Sequence, residues 1–155
     1  MACATLRRGS AAALALWLLL AAAPLSAQSP DAAGRVKAAV GAASIVRNGQ
    51  AGPATVGEVV YASDVLRTGP DGQLAVMLKD ESRLSIGPDS ELALATFAYA
   101  PAENRLALVV RLTRGALAFV SGRIAKLMPE AVRLETPTSV IGVRGTHALV
   151  KVEAP

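Results

Sequence analysis

The chain has 155 residues, with 16 Lys and Arg against 12 Asp and Glu, a length that bounds it to one small domain. Its one cysteine, Cys3, and two of its basic residues, Arg7 and Arg8, lie ahead of an apolar run from Ala11 to Ala23. Beyond that run there is no thiol for a disulfide or a thiolate metal site. The 14 remaining basic residues are scattered and nearly balanced by the 12 acids, and Tyr61, Phe97, Tyr99 and Phe119 are the only aromatics there, which argues against nucleic acid as a partner.

The first 27 residues read as a Sec signal peptide. Arg7 and Arg8 form the charged region, Trp17 and Leu18 to Leu20 sit in the apolar core, and Pro24-Leu25-Ser26-Ala27 precedes a cut before Gln28. The apolar run is shorter than the roughly 20 residues of a spanning helix, so no stable membrane span is expected after cleavage. Gly9 and Ser10 do not supply a twin-arginine context, and Cys3 precedes the run that a lipoprotein cysteine would follow. The expected location is the periplasm or the exterior. Residues 28–37 are expected to be a flexible mature N-terminus, followed by one β-domain over 38–153.

From Ala38 onward, short apolar runs recur between Gly, Pro and Asp turns, the cadence of an all-β domain. Strands are predicted at Ala43–Val46, Glu58–Tyr61, Asp64–Arg67, Leu74–Leu78, Arg83–Ile86, Glu91–Phe97, Leu106–Thr113, Ala116–Val120, Val132–Glu135, Val140–Val143 and Ala148–Val152. Leu74, Val76 and Leu78 alternate with Ala75 and Met77, which puts the two sets on opposite faces. Gly122-Arg123-Ile124 reads equally as strand or turn, and Lys126 to Glu130, with Pro129, as a contact-bearing loop over one end of the fold. Asp71, Asp80 and Asp89 fall nine residues apart, each at a turn before an apolar pair. That interval fits either the stacked coils of a compact β-solenoid or an antiparallel meander of short strands.

Those aspartates invite comparison with calcium-binding nonapeptide repeats. The turns Pro70-Asp71-Gly72, Lys79-Asp80-Glu81 and Pro88-Asp89-Ser90 lack the paired glycines of such repeats, and Lys79 adds a competing charge, so aspartates that cap their own turns are expected and no metal. His147 is the only histidine and reads as a surface residue. Ser139 and Thr146 lie near it, but neither a nucleophile elbow nor an orienting acid is present, and no enzyme is expected. Arg144, between Gly142 and Gly145, is the side chain singled out for binding, with Thr146 beside it and Lys126 in the neighbouring loop. The competing structural reading makes Arg144 an internal clamp on a carboxylate such as Asp64 or Glu135. Arg67 and Thr68 are read structurally: the arginine covers the sheet surface and the threonine satisfies a turn.

The run Thr136-Pro137-Thr138-Ser139-Val140-Ile141-Gly142-Val143-Arg144-Gly145-Thr146 closely resembles the C-terminal signature of the FecR family, bacterial envelope domains named after the ferric-citrate regulator. An earlier block resembles the same family: Gly57-Glu58-Val59-Val60, then Asp64-Val65-Leu66-Arg67-Thr68-Gly69 and Asp71-Gly72. Leu78 to Ser82 and Leu84 to Ser90 resemble its "leu-x-asp-gly-ser" and "gly-pro-x-ser" turns, with Glu81 standing where the family has glycine. The resemblance runs from about Gly41 to Val152. It implies a compact solenoid-like β-fold in which Gly57, Asp64, Thr68, Gly69, Asp71, Gly72, Thr136, Pro137, Gly142 and Gly145 are structural. It also implies a non-enzymatic sensing or protein-interaction module of envelope signalling, linked to iron uptake, with another envelope protein as partner and no cofactor. A cytoplasmic region and a further signalling domain, which transducing members look to have, are not expected here. The alternative is an envelope domain that binds a small ligand or polysaccharide.

Overall fold

The computed structural model describes residues 31–153; the expected signal peptide lies outside them. Twelve strands are found there: β1 (Ala32–Val40), β2 (Ala43–Arg47), β3 (Gln50–Pro53), β4 (Val59–Tyr61), β5 (Val65–Thr68), β6 (Gln73–Leu78), β7 (Arg83–Ile86), β8 (Glu91–Ala100), β9 (Arg105–Val120), β10 (Val132–Glu135), β11 (Val140–Gly142) and β12 (His147–Val152). One short helix, α1 (Arg123–Leu127), follows β9, and a 3-10 turn at Pro129–Ala131 leads into β10.

The long strand β9 organises the domain. Its first half pairs antiparallel with β8 and parallel with β10, and its second half pairs antiparallel with β7 and β12. One sheet therefore runs β3-β2-β5-β8-β9-β10-β11 and the other β4-β1-β6-β7-β9-β12, with β9 common to both. The turn of β9 from one sheet to the other falls at Gly115, whose φ is +91° and whose missing Cβ leaves room for Ser90 Oγ. The two strands expected at Leu106–Thr113 and Ala116–Val120 are thus one strand bent at a glycine.

Every strand pair but β9–β10 is antiparallel. Of the two expected architectures the antiparallel one describes the domain, and stacked solenoid coils do not. The nine-residue aspartate interval is the length of one short strand plus its turn: Asp71, Asp80 and Asp89 lie in the β5–β6, β6–β7 and β7–β8 connections. Alternation fills the core as expected. Leu74, Val76 and Leu78 are buried together with Leu84, Ile86, Leu92, Leu94, Leu117 and Phe119, so both sheets bury their inner faces in one cluster.

Three elements differ from expectation. The flexible segment expected over 28–37 is a strand from Ala32 onward. β1 lies between β4 and β6, Ala33 and Val36 are buried, and a side chain at Gly34 would strike the Met77 carbonyl. Small residues there permit close backbone approach rather than disorder. β3 has no apolar alternation and exists by backbone pairing with β2. The segment left between strand and turn at Gly122–Ile124 starts α1, and Pro129 ends it, Met128 being extended before the proline at φ −148° and ψ 82°.

Candidate functional site

The C-terminal signature forms a hairpin and a corner. Thr136 opens the β10–β11 turn, its amide donating to the Ser139 carbonyl at 2.8 Å and its Oγ1 accepting from the Ser139 amide at 3.0 Å, with the exposed Pro137 at the bend. Past β11, the chain turns through Val143-Arg144-Gly145. Val143 is buried, and the Gly145 φ is +141°. Ser121 pins the end of the corner: its Oγ donates to the Gly145 carbonyl at 2.7 Å and its amide to the Thr146 carbonyl at 3.0 Å. Gly142 lies outside the positive-φ region and has open space where a Cβ would stand, so of the two glycines Gly145 alone holds a positive φ.

Between this corner and α1 lies a groove of about 620 Å³. Val132 and Val143 are buried in its floor, Ala125 and Pro129 form the α1 side, and Glu130, Arg133 and Arg144 stand at the rim with the exposed Val140. Arg133 lies opposite Gly142 across the hairpin, and that glycine leaves the guanidinium uncovered. Arg144 is exposed and forms no ion pair among the described residues, which removes the clamp reading. Asp64 is taken by Arg47 and Glu135 by Arg111, at 2.7 and 2.8 Å. Lys126 is exposed on α1, adjacent in sequence to Ala125, and Thr146 is exposed past the corner. The structure thus brings Arg144 into a groove with Arg133, which sequence reasoning passed over. Lys126 and Thr146 stand near that groove and do not line it. His147 is exposed and begins β12.

The wall made by α1 is fixed from across the domain. Asp80, fully buried in the β6–β7 turn, accepts from Ser82 Oγ at 2.6 Å and from the amides of Ser82 and Ile124 at 3.2 and 3.4 Å. Ser82 Oγ accepts from the Gly122 amide at 3.0 Å, and the Arg123 amide donates to the Asp80 carbonyl at 2.7 Å. Gly122 has no room for a Cβ against Asp80 and Ser82. Glu81, at the glycine position of the motif, keeps the turn by adopting φ +70°. Its carboxylate lies 3.1 Å from Arg123. The Tyr99 hydroxyl first, and then Glu81, hold the Arg123 guanidinium above its ordinary pKa.

The other signature residues build turns. Asp64, 1% exposed, accepts from Arg47 Nε and from an Arg47 terminal nitrogen at 2.9 and 2.7 Å, and from the Tyr61 amide at 2.9 Å. The hydrogen bond to Asp64 raises the Arg47 pKa above its usual value, and Arg47 also stands 4.5 Å over the Tyr61 ring. Thr68 Oγ1 donates to the Gly87 carbonyl at 2.6 Å and accepts from the Ser90 amide at 3.0 Å, as a turn-satisfying threonine should. Arg67 lies over the sheet surface, 3.1 Å from Glu91. The Gly69 amide donates to the Ala42 carbonyl, Asp71 Oδ1 accepts from the Ala42 amide at 3.4 Å, and Gly72 passes so close to the Ala42 carbonyl that a Cβ would collide with it. Gly57 has φ +90° and donates to the Val36 carbonyl. Among the described residues no His, Cys, Asp and Glu cluster has the makings of a metal site, and no helix is long and apolar enough to cross a membrane.

A family model described as FecR protein matches residues 64–155, from the Asp64 turn through the corner and β12. No curated protein and no solved structure matches the chain. Of the residues read as resembling that family, Gly57 to Val60 precede the matched span, yet Val59 and Val60 lie in β4, which pairs with β1 within the same domain.

Proposed function

The chain belongs to the FecR family, and on that premise we propose that it is an exported, non-enzymatic module that docks another envelope protein at the corner formed by Gly142 to Thr146. The family takes part in the signalling that regulates ferric-citrate uptake and in contacts with other envelope proteins, and it is a regulatory rather than an enzymatic family. The observation that carries the reading is the contrast within the matched span. Of its earlier signature residues, Asp64, Thr68, Asp80, Ser82 and Ser90 are buried and hydrogen-bonded within turns, whereas the last of them, around Arg144, opens onto a groove beside a strand edge. Exposed side chains set on a rigid frame in this way favour recognition over packing.

Site-specific photo-crosslinking in the source cells, with probes at Arg144 and Lys126, tests this. One dominant envelope protein at either position is the expected result. Absence of any adduct from folded, exported chain would overturn it. A second reading, a small-ligand site, draws on the groove volume, which falls within the roughly 300–1,000 Å³ of such sites. The lining holds no aromatic side chain, so a sugar-stacking platform is not formed there. Saturable binding of a small molecule by chain that yields no protein adduct would favour this second reading.

A further inference from the structure

We infer that the groove takes an extended segment of the partner that alternates apolar with acidic side chains, laid along the free edge of β11. This rests on the interaction reading above and adds the chemistry of what is recognised.

Three observations converge on it. β11, three residues long, pairs with β10 on one side and with no strand on the other among the described residues, so its outer backbone edge next to the groove has no strand partner. An added strand satisfies such an edge, and its alternate side chains point to alternate faces. The floor is apolar: Val132 and Val143 lie at its base, and Val140, 66% exposed, stands at its lip. The rim is cationic. Arg133 and Arg144 both lack ion pairs among the described residues, and Lys126 stands unpaired on the adjoining helix, against the single carboxylate of Glu130.

Charge complementarity selects the occupant. The groove lining and the adjoining Lys126 hold three cations, Lys126, Arg133 and Arg144, against Glu130, while Arg123 of α1 is paired with Glu81. A guanidinium binds a carboxylate through two parallel N–H donors, and Arg133, left uncovered by Gly142, is free to do so from the strand face. A basic segment would meet three cations. An acidic segment without apolar residues would leave the valine floor wet.

The test is an NMR titration of the isotopically labelled chain with a blocked hexapeptide, acetyl-Val-Asp-Val-Glu-Val-Asp-amide. Its comparators replace either every acid by lysine or every valine by glycine. The expected result is saturable shifts confined to amides of residues 124–146 with the first peptide, weakened by added salt. The same binding should weaken roughly tenfold or more in Arg133→Glu/Arg144→Glu, with the remaining spectrum unchanged. Shifts elsewhere, equal binding of the lysine or glycine peptide, indifference to the double substitution, or no shift at all would each overturn the inference. Should photo-crosslinking at Arg144 still capture an envelope protein while the acidic peptide fails, the docking module stands and recognition of an extended acidic segment falls.

Discussion

Replacing Asp80 by alanine tests whether the β6–β7 turn holds the helical wall of the groove. The carboxylate is fully buried and receives the Ser82 hydroxyl at 2.6 Å, the Ser82 amide at 3.2 Å and, at the long limit of 3.4 Å, the Ile124 amide. Alanine strands the Ser82 hydroxyl and amide in a dry site at about 1–3 kcal/mol each, while the 3.4 Å contact adds little. The cost of keeping the carboxylate itself out of water disappears in the variant, which sets the net loss near 3 kcal/mol. For a domain of this size that is a fall in Tm of about 12 °C. Asparagine retains an acceptor for the Ser82 amide and offers a donor to its oxygen, so Asp80→Asn should lose about 1 kcal/mol. Urea denaturation of the three proteins measures both differences. Hydrogen exchange at the Arg123 amide, bound to the Asp80 carbonyl at 2.7 Å, reports whether α1 loosens first. Asp80→Ala within about 0.5 kcal/mol of the parent would refute the anchoring role.

Glu81→Gly should stabilise the domain by a few tenths to about 1 kcal/mol. It relieves a non-glycine φ of +70° at the cost of added freedom in the unfolded chain and of an exposed pair with Arg123 worth little; a lower Tm would contradict this. Gly72→Ala should cost more than about 2 kcal/mol, because its Cβ meets the Ala42 carbonyl, whereas Gly142→Ala should stay within about 0.5 kcal/mol, and equal melting of the two variants would remove the distinction drawn between these glycines. Asp64→Ala should lose about 1–3 kcal/mol, since it leaves the Tyr61 amide without its acceptor and the half-exposed Arg47 with the Val59 carbonyl alone; a denaturation midpoint equal to that of the parent would sink the reading of Asp64 as a structural anchor.

The strands that were legible are those with period-two burial, and the legibility has a physical cause. Arg83–Ile86 and Val132–Glu135 coincide with β7 and β10 because Leu84/Ile86 and Val132/Leu134 face the core while their neighbours face water. β3, Gln50–Pro53, buries nothing of its own and is a strand only because β2 offers it backbone partners, information that is not local. β1 was hidden by its small side chains, which serve close packing against β6. Helix α1, at five residues, is too short for a period to show, and its start is set by Asp80 and Ser82 from a turn some 40 residues earlier. Glycine spacing drew attention to Arg144, which the structure leaves exposed at the groove. It could not mark Arg133, which lies in an ordinary alternating strand and matters only because the chain returns along it with a glycine opposite. Glycines 142 and 145 look alike in sequence, yet backbone strain belongs to the second alone.

Two groups of arginines can be compared, apart from Arg105, which pairs with Glu103 in the turn before β9, and from Arg35, Arg83 and Arg114, which have no ion pair among the described residues and do not line the groove. Arg47, Arg67, Arg111 and Arg123 each reach an acid on another strand or turn: Asp64, Glu91, Glu135 and Glu81. Arg133 and Arg144 reach none among the described residues, although Glu135 is only two positions from Arg133, because β9 places Arg111 on that carboxylate first. Pairing either of them internally would add little to stability, since exposed ion pairs contribute about 0–1 kcal/mol. The same guanidinium contributes more when a partner brings a carboxylate and excludes water from the contact, where measured couplings start near 1.5 kcal/mol. Two unpaired cations beside an apolar cleft therefore give the folded domain almost nothing by themselves and become favourable only when an acidic surface closes over them. That asymmetry separates the corner from the turns that carry the rest of the family signature, and it is the physical reason for proposing the docking site at the end of the motif.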